Sequence, residues 1–93
     1  MAGLGRPDLY VVARFLERLW RVRRPHGKTE LQMAVRLNYS VYQRYLDWMD
    51  EKGLVRLETG ADGSATVEAT PKGLATYGTL VAWIRETVGE DHL

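Results

Sequence analysis

The stretch Asn38-Tyr39-Ser40-Val41-Tyr42-Gln43-Arg44-Tyr45-Leu46-Asp47-Trp48-Met49-Asp50-Glu51-Lys52-Gly53-Leu54-Val55 holds a cap, a helix, a stop and the first residues of a strand. Asn38 and Ser40 can each accept a hydrogen bond from a free N–H of the following turn, so a helix starts between residues 39 and 41. Tyr42, Tyr45, Leu46 and Met49 recur at helical spacing, and Lys52-Gly53 ends the run because glycine readily takes the left-handed conformation that closes a helix. After Gly53 the period becomes two. Val55 and Leu57 face one way and Arg56 and Glu58 the other, then Val67 and Ala69 oppose Thr66 and Glu68. Gly60-Ala61-Asp62-Gly63-Ser64 between them carries an Asp-Gly turn, which predicts a two-stranded hairpin over 54–69.

Upstream, Leu9, Val12, Leu16, Leu19 and Trp20 predict a first helix from Pro7, a first-turn residue, to about Arg23. Arg18, Arg21, Arg23 and Arg24 fall toward its end, where cations complement the helix dipole, and Pro25-His26-Gly27 breaks it. A second, short helix from Thr29 or the residue before it through Val35 uses Leu31, Met33, Ala34 and Leu37 as apolar positions. Three helices with a very short joint before the third form a helix-turn-helix pattern, and the hairpin behind it is a wing. Downstream, Thr70-Pro71 caps a last helix to about Val88. Its Leu74, Tyr77, Val81, Ile84 and Val88 are spaced as a coiled-coil seam and are the expected homodimer interface, with Leu80 and Trp83 widening the apolar surface. The fold class is therefore α+β, mostly α, divided as a flexible segment 1–6, a core domain 7–70, a dimerisation helix 71–88 and a tail 89–93.

Ninety-three residues with 45% apolar and 27% charged side chains are expected to build one core. The absence of cysteine excludes a disulfide framework, a thiolate metal site and a cysteine nucleophile. No apolar run approaches the length of a membrane span and no signal-peptide core opens the chain, so the expected setting is the cytoplasm, without a membrane partner. The net charge of +1 hides a dipole: residues 1–46 carry nine Lys/Arg against three Asp/Glu, and residues 47–93 carry four against nine. Such asymmetry points to a polyanion-binding part joined to one that phosphate repels.

Lys28-Thr29-Glu30-Leu31, Leu37-Asn38-Tyr39, the run Tyr45 to Val55, and Ala69-Thr70-Pro71-Lys72-Gly73 together resemble small archaeal winged-helix DNA-binding proteins. The run 45–55 is similar to the stretch that ends their recognition helix and enters the wing, and Thr70-Pro71-Lys72-Gly73 to the one that opens their final helix. The resemblance spans roughly 8–88. It implies a winged helix-turn-helix that binds duplex DNA through helix 3 and dimerises through an antiparallel pair of last helices. The expected role is a homodimeric transcriptional regulator or a nucleoid-associated chromatin protein. The wing departs from a basic pattern, offering Arg56 against Glu58, Asp62 and Glu68.

With Tyr42, Tyr45, Leu46 and Met49 inward, Ser40, Gln43, Arg44 and Asp47 are left outward on helix 3. Gln43 suits adenine, Arg44 guanine, and Ser40 a base edge or phosphate, while Asp47 is an edge residue or a partner for Arg44. Phosphate candidates are Lys28 and Thr29 at the start of helix 2, Arg21, Arg23, Arg24 and Arg36, and Tyr39, the aromatic residue of helix 3 expected to be exposed. Taken singly, each arginine is better read as a solvated side chain; taken together they favour DNA. The competing expectation is a protein-interaction module whose basic half docks on an acidic partner. His26 and His92 read as loop and tail residues, and no cofactor, metal or catalytic set is expected.

Overall fold

The computed structural model describes residues 5–88. Residues 1–4 of the expected N-terminal segment and the whole 89–93 tail, with His92, lie outside the described residues, as does the Val88 side chain. The elements in order are α1 (Leu9–Arg21), β1 (His26–Gly27), α2 (Lys28–Val35), α3 (Tyr39–Glu51), β2 (Val55–Thr59), β3 (Ala65–Ala69) and α4 (Pro71–Val88).

Helix α1 starts two residues later than its sequence suggests, at Leu9 instead of Pro7. Asp8, in an extended conformation, is the cap, and its carboxylate accepts the Tyr10 N–H at 2.9 Å, so Pro7 lies before the helix instead of in its first turn. The helix closes at Val22, whose N–H donates to the Arg18 carbonyl at 3.1 Å, which leaves Arg23 and Arg24 beyond its last turn. Its inward face is Val12, Phe15, Leu16 and Leu19, whereas Leu9 and Trp20, at the two ends of the periodic set, are about half exposed. The Trp20 ring instead packs against Tyr77 of α4, with centroids 5.6 Å apart and the rings tilted by 32°.

Helix α2 buries Leu31 and Val35, while Met33, expected inward, is 74% exposed, and Leu37 falls in the turn that follows. That turn contains Arg36 at φ 58°, a left-handed conformation that costs a side-chain-bearing residue about 1–2 kcal/mol. Helix α3 begins as expected: the Asn38 side chain accepts the Val41 N–H at 2.9 Å, and Tyr42, Tyr45, Leu46 and Met49 are buried. Phe15 stacks on Tyr42 and Tyr45 at 5.6 and 6.0 Å, joining α1 to α3 at the centre of the core. The two phenols are also tied: Tyr45 accepts the Asp8 N–H through its hydroxyl, and Tyr42 donates to the Lys28 carbonyl. Gly53, at φ 77°, ends the helix and turns the chain into β2.

The hairpin pairs Val55 with Ala69 and Leu57 with Val67, antiparallel, and its turn is held by Gly60 N–H donating to the Ser64 carbonyl at 2.7 Å. The wing is not two-stranded alone, because β1 pairs with β3 through His26 opposite Val67, giving the sheet order β1-β3-β2. His26 is therefore a fully buried strand residue, not a loop residue; its Nδ1 lies 2.9 Å from the Arg24 carbonyl oxygen, and its Nε2 is buried without a partner. Thr70 joins sheet to helix: its hydroxyl donates to the Gly53 carbonyl and accepts the Gly73 N–H at 3.0 Å. Gly73 itself sits against the Leu54 carbonyl, where no Cβ fits.

Helix α4 packs along α1, and this divides the expected dimer seam. Ile84 is 7% exposed within the single chain, Tyr77 packs on the core, and Leu74 and Val81 are half-buried. The open side of α4 carries Trp83, 51% exposed, which with Leu9, Leu80, Ala75, Thr76, Thr79 and Lys72 lines a shallow groove of about 450 Å³. Among the described residues no helix is long and apolar enough to cross a membrane.

Candidate nucleic-acid interface

The base-contact candidates occupy one side of α3, four and three residues apart, as an α-helix requires for neighbours on its surface. Ser40 and Arg44 are exposed, and the Arg44 guanidinium donates to the Ser40 hydroxyl at 3.3 Å. Gln43 is half-buried and its amide donates to the Asp47 carboxylate at 2.9 Å, so Asp47 partners Gln43 and not Arg44. This leaves Arg44 the less restrained of the two long side chains. Its charge is not neutralised by an ion pair, since the two ion pairs among the described residues are Arg21–Glu17 and Arg24–Glu30.

The phosphate candidates separate into two groups by what they already touch. Arg21, Arg23 and Arg24 at the end of α1 are each engaged. Arg21 pairs with Glu17 at 2.8 Å one turn back, and Arg23 donates to the Trp20 carbonyl with its guanidinium 5.4 Å from the Trp20 ring centre. Arg24 holds both oxygens of Glu30, at 2.7 and 3.3 Å. Glu30 also accepts the Gly27 N–H at 3.2 Å, so its carboxylate occupies the start of α2 where an outside anion would otherwise sit. The Arg24 hydrogen bonds, then the Gly27 N–H, hold the Glu30 carboxyl down to about 2, well below its ordinary value. The same contact raises Arg24.

Lys28, Thr29, Arg36 and Tyr39 form the second group, the first two at the start of α2 and the others at the joint between α2 and α3. Thr29, Arg36 and Tyr39 are exposed and have no side-chain hydrogen bond among the described residues. The Lys28 ammonium sits 5.6 Å from the centre of the Tyr39 ring, bringing two candidates from different helices together. The role of Glu30 was readable in its place three residues after Gly27, the spacing of a capping box. The contact of Arg14, whose guanidinium donates to the Val35 carbonyl at 2.8 Å, has no such signal. Within the described residues, no group of three His, Asp or Glu side chains could hold a metal ion.

Three solved structures are similar to this chain in fold. Sso10a-2, a DNA-binding protein from Sulfolobus solfataricus, is 25% identical over 89% of this chain and 85% of its own, with a TM-score of 0.72. A MarR-family transcriptional regulator from Silicibacter pomeroyi is 29% identical over 82% of this chain and 51% of its own, with a TM-score of 0.72. The transcriptional regulator BldR from Sulfolobus solfataricus is 23% identical over 85% and 57%, again with a TM-score of 0.72. The chain thus spans between half and three-fifths of the length of the first regulators it matches. No curated protein matches the sequence. The family model for the winged helix-turn-helix matches residues 6–87, and with the three helices, three-stranded sheet and added last helix in place, the chain belongs to the winged helix-turn-helix family, with the fold of winged-helix transcriptional regulators.

Proposed function

We propose that the protein binds duplex DNA with α3 in the major groove, as a homodimeric transcriptional regulator or a small chromatin protein working on the nucleoid. The observation that carries this reading is the exposed Ser40–Arg44 face of α3, flanked by Lys28, Thr29, Arg36 and Tyr39 with Asp47 as the nearest acid on its own helix. Arg44 reads guanine, Ser40 reaches a base edge or phosphate, and Gln43 reaches adenine once it leaves Asp47. Lys28, Thr29 and Arg36 take phosphates, and Arg21, Arg23 and Arg24 join them only by exchanging their present partners. Sso10a-2, described as DNA-binding, and the regulators named above support this reading by likeness.

The test compares wild type and Arg44→Ala on a panel of duplexes of different sequence. Loss of discrimination among duplexes is expected for Arg44→Ala, and a uniform loss on all sequences reduces α3 to a phosphate contact.

Dimerisation is assigned to the outer side of α4, because Ile84 of the expected seam is buried within the chain and is not free to meet a partner. Two copies crossing antiparallel about Thr79 set Lys72 opposite Glu86 and the large Trp83 opposite the small Ala75, a complement of charge and of size. The two α3 helices then address successive major grooves about 34 Å apart. Trp83→Glu should sediment as a folded monomer with weakened DNA binding. A wild type that is already monomeric at tens of micromolar contradicts the dimer.

The acidic hairpin favours a second reading. Glu58, Asp62 and Glu68 outnumber Arg56, and Glu68 faces Arg56 across the strands, so the wing presents little free positive charge. A protein-interaction module of a larger complex, with a wing that does not grip phosphate and a basic half that docks on an acidic partner, fits this, and its signature is capture of an acidic protein by the basic half without any affinity for duplex DNA.

A further inference from the structure

Lys28 and Tyr39 begin two different helices, yet the fold fixes them against each other. The Lys28 backbone is anchored from below by the buried Tyr42, whose hydroxyl donates to its carbonyl. Its ammonium lies 5.6 Å from the Tyr39 ring centre, within the range where the negative face of an aromatic ring attracts a cation. Tyr39 is 59% exposed, although an aromatic ring gains by burial, and it stands four residues before Gln43, on the same side of α3. A free lysine samples many rotamers and must be ordered when it meets a phosphate, whereas a lysine resting on a ring has already lost part of that freedom.

We propose that Tyr39 is a positioning residue for DNA binding: its ring, not its hydroxyl, holds the Lys28 ammonium where the starts of α2 and α3 meet, so that it reaches the duplex backbone beside the Gln43 stripe. This rests on the DNA-binding reading above and adds to it a division of labour, in which Lys28 supplies the charge and Tyr39 supplies its place.

The experiment titrates the full chain with a fluorescent duplex at several salt concentrations, comparing wild type, Tyr39→Phe, Tyr39→Leu, Lys28→Ala and the Lys28→Ala/Tyr39→Leu double variant. Tyr39→Phe keeps the ring and should bind as wild type. Tyr39→Leu should weaken every duplex about 2- to 5-fold, the range of an exposed cation–ring contact. Lys28→Ala should flatten the salt dependence by about 0.9 in log–log slope, and in that background Tyr39→Leu should cost nothing more. In the absence of DNA, the Lys28 side-chain methylene protons should show a ring-current shift that Tyr39→Leu abolishes and Tyr39→Phe retains. Equal losses for Tyr39→Phe and Tyr39→Leu would make the hydroxyl a phosphate contact and overturn the assignment, as would independent, additive losses at the two positions. A wild type that ignores duplex DNA at low salt overturns the functional reading itself, an outcome distinct from these.

Discussion

The two halves of the chain differ in more than the sign of their charge. Residues 1–46 hold nine cations and most of the buried core, including Phe15, Leu16, Leu31, Tyr42 and Leu46, whereas residues 47–93 hold nine acids and contribute Met49, Leu54, Val55, Val67 and Ile84. Both ion pairs among the described residues lie in the first half, at Arg21–Glu17 and Arg24–Glu30. The positive half therefore consumes part of its own charge in holding itself together, while Asp50, Glu51 and Glu58 of the negative half stay exposed with no ion pair among the described residues. The charge counted along a chain and the charge it offers to a partner are different quantities, and among the DNA-contact candidates Lys28, Arg36 and Arg44 are cations with no ion pair among the described residues.

The largest effect should separate the halves by stability. Phe15→Ala removes the ring on which Tyr42 and Tyr45 stack and should cost about 3–5 kcal/mol in denaturant unfolding. If the loss is under about 1 kcal/mol, the core is not centred on α1 and α3. The next comparison is electrostatic. Lys28→Ala, Arg36→Ala and Arg44→Ala should each weaken duplex binding roughly tenfold near 0.1 M salt if each meets a phosphate or base. Neutralising Glu58, Asp62 and Glu68 should raise affinity by less than any one of these losses. A hairpin set that matters as much as the helix set would move the interface toward the wing. In the second half, Gly73→Ala pushes a methyl group onto the Leu54 carbonyl and should destabilise the fold by about 1–3 kcal/mol, measured by thermal unfolding.

Much of this fold was legible in the sequence because periodic runs and cap residues act locally. Asn38, Gly53 and Thr70 mark their boundaries in the structure as their side chains or lack of one dictate. Strand β1 was not legible, since two residues after a proline show no period, and only the register with β3 makes His26 a strand residue. Leu9, Trp20 and Met33 satisfy helical spacing yet stay exposed, because spacing assigns a face and not what covers it. For the same reason the 3–4 pattern of α4 could not distinguish contact with α1 from contact with a second chain, and Ile84 went to its own core. The site candidates were legible as a set of cations. Their partners were not: Arg24 finds Glu30 and Arg14 finds Val35 only after α1 and α2 have packed.

Two smaller effects sharpen the contrast between holding and offering charge. Arg36→Gly relieves the left-handed backbone and should stabilise the protein by about 1 kcal/mol while weakening DNA binding as Arg36→Ala does. Stabilisation without weaker binding would show that Arg36 is a turn residue alone. Glu30, held down to about 2 by Arg24 and Gly27, contributes stability that is complete above its ordinary carboxylate value of 4.5 and is lost as pH falls toward 2. Because the pair is exposed and screened, the effect is small. Acid unfolding of Glu30→Gln should lack this component, and an unchanged acid limb would mean the pair adds nothing to the fold.

The most direct test is the binding of wild-type protein to duplex DNA over a series of salt concentrations, plotted as log affinity against log salt. With Lys28 and Arg36 as the cations of each protomer assigned to phosphate, the slope should be about −2 per protomer, at roughly −0.9 for each phosphate neutralised. A slope near zero, or no binding at about 50 mM salt, would contradict the assignment of this surface to DNA.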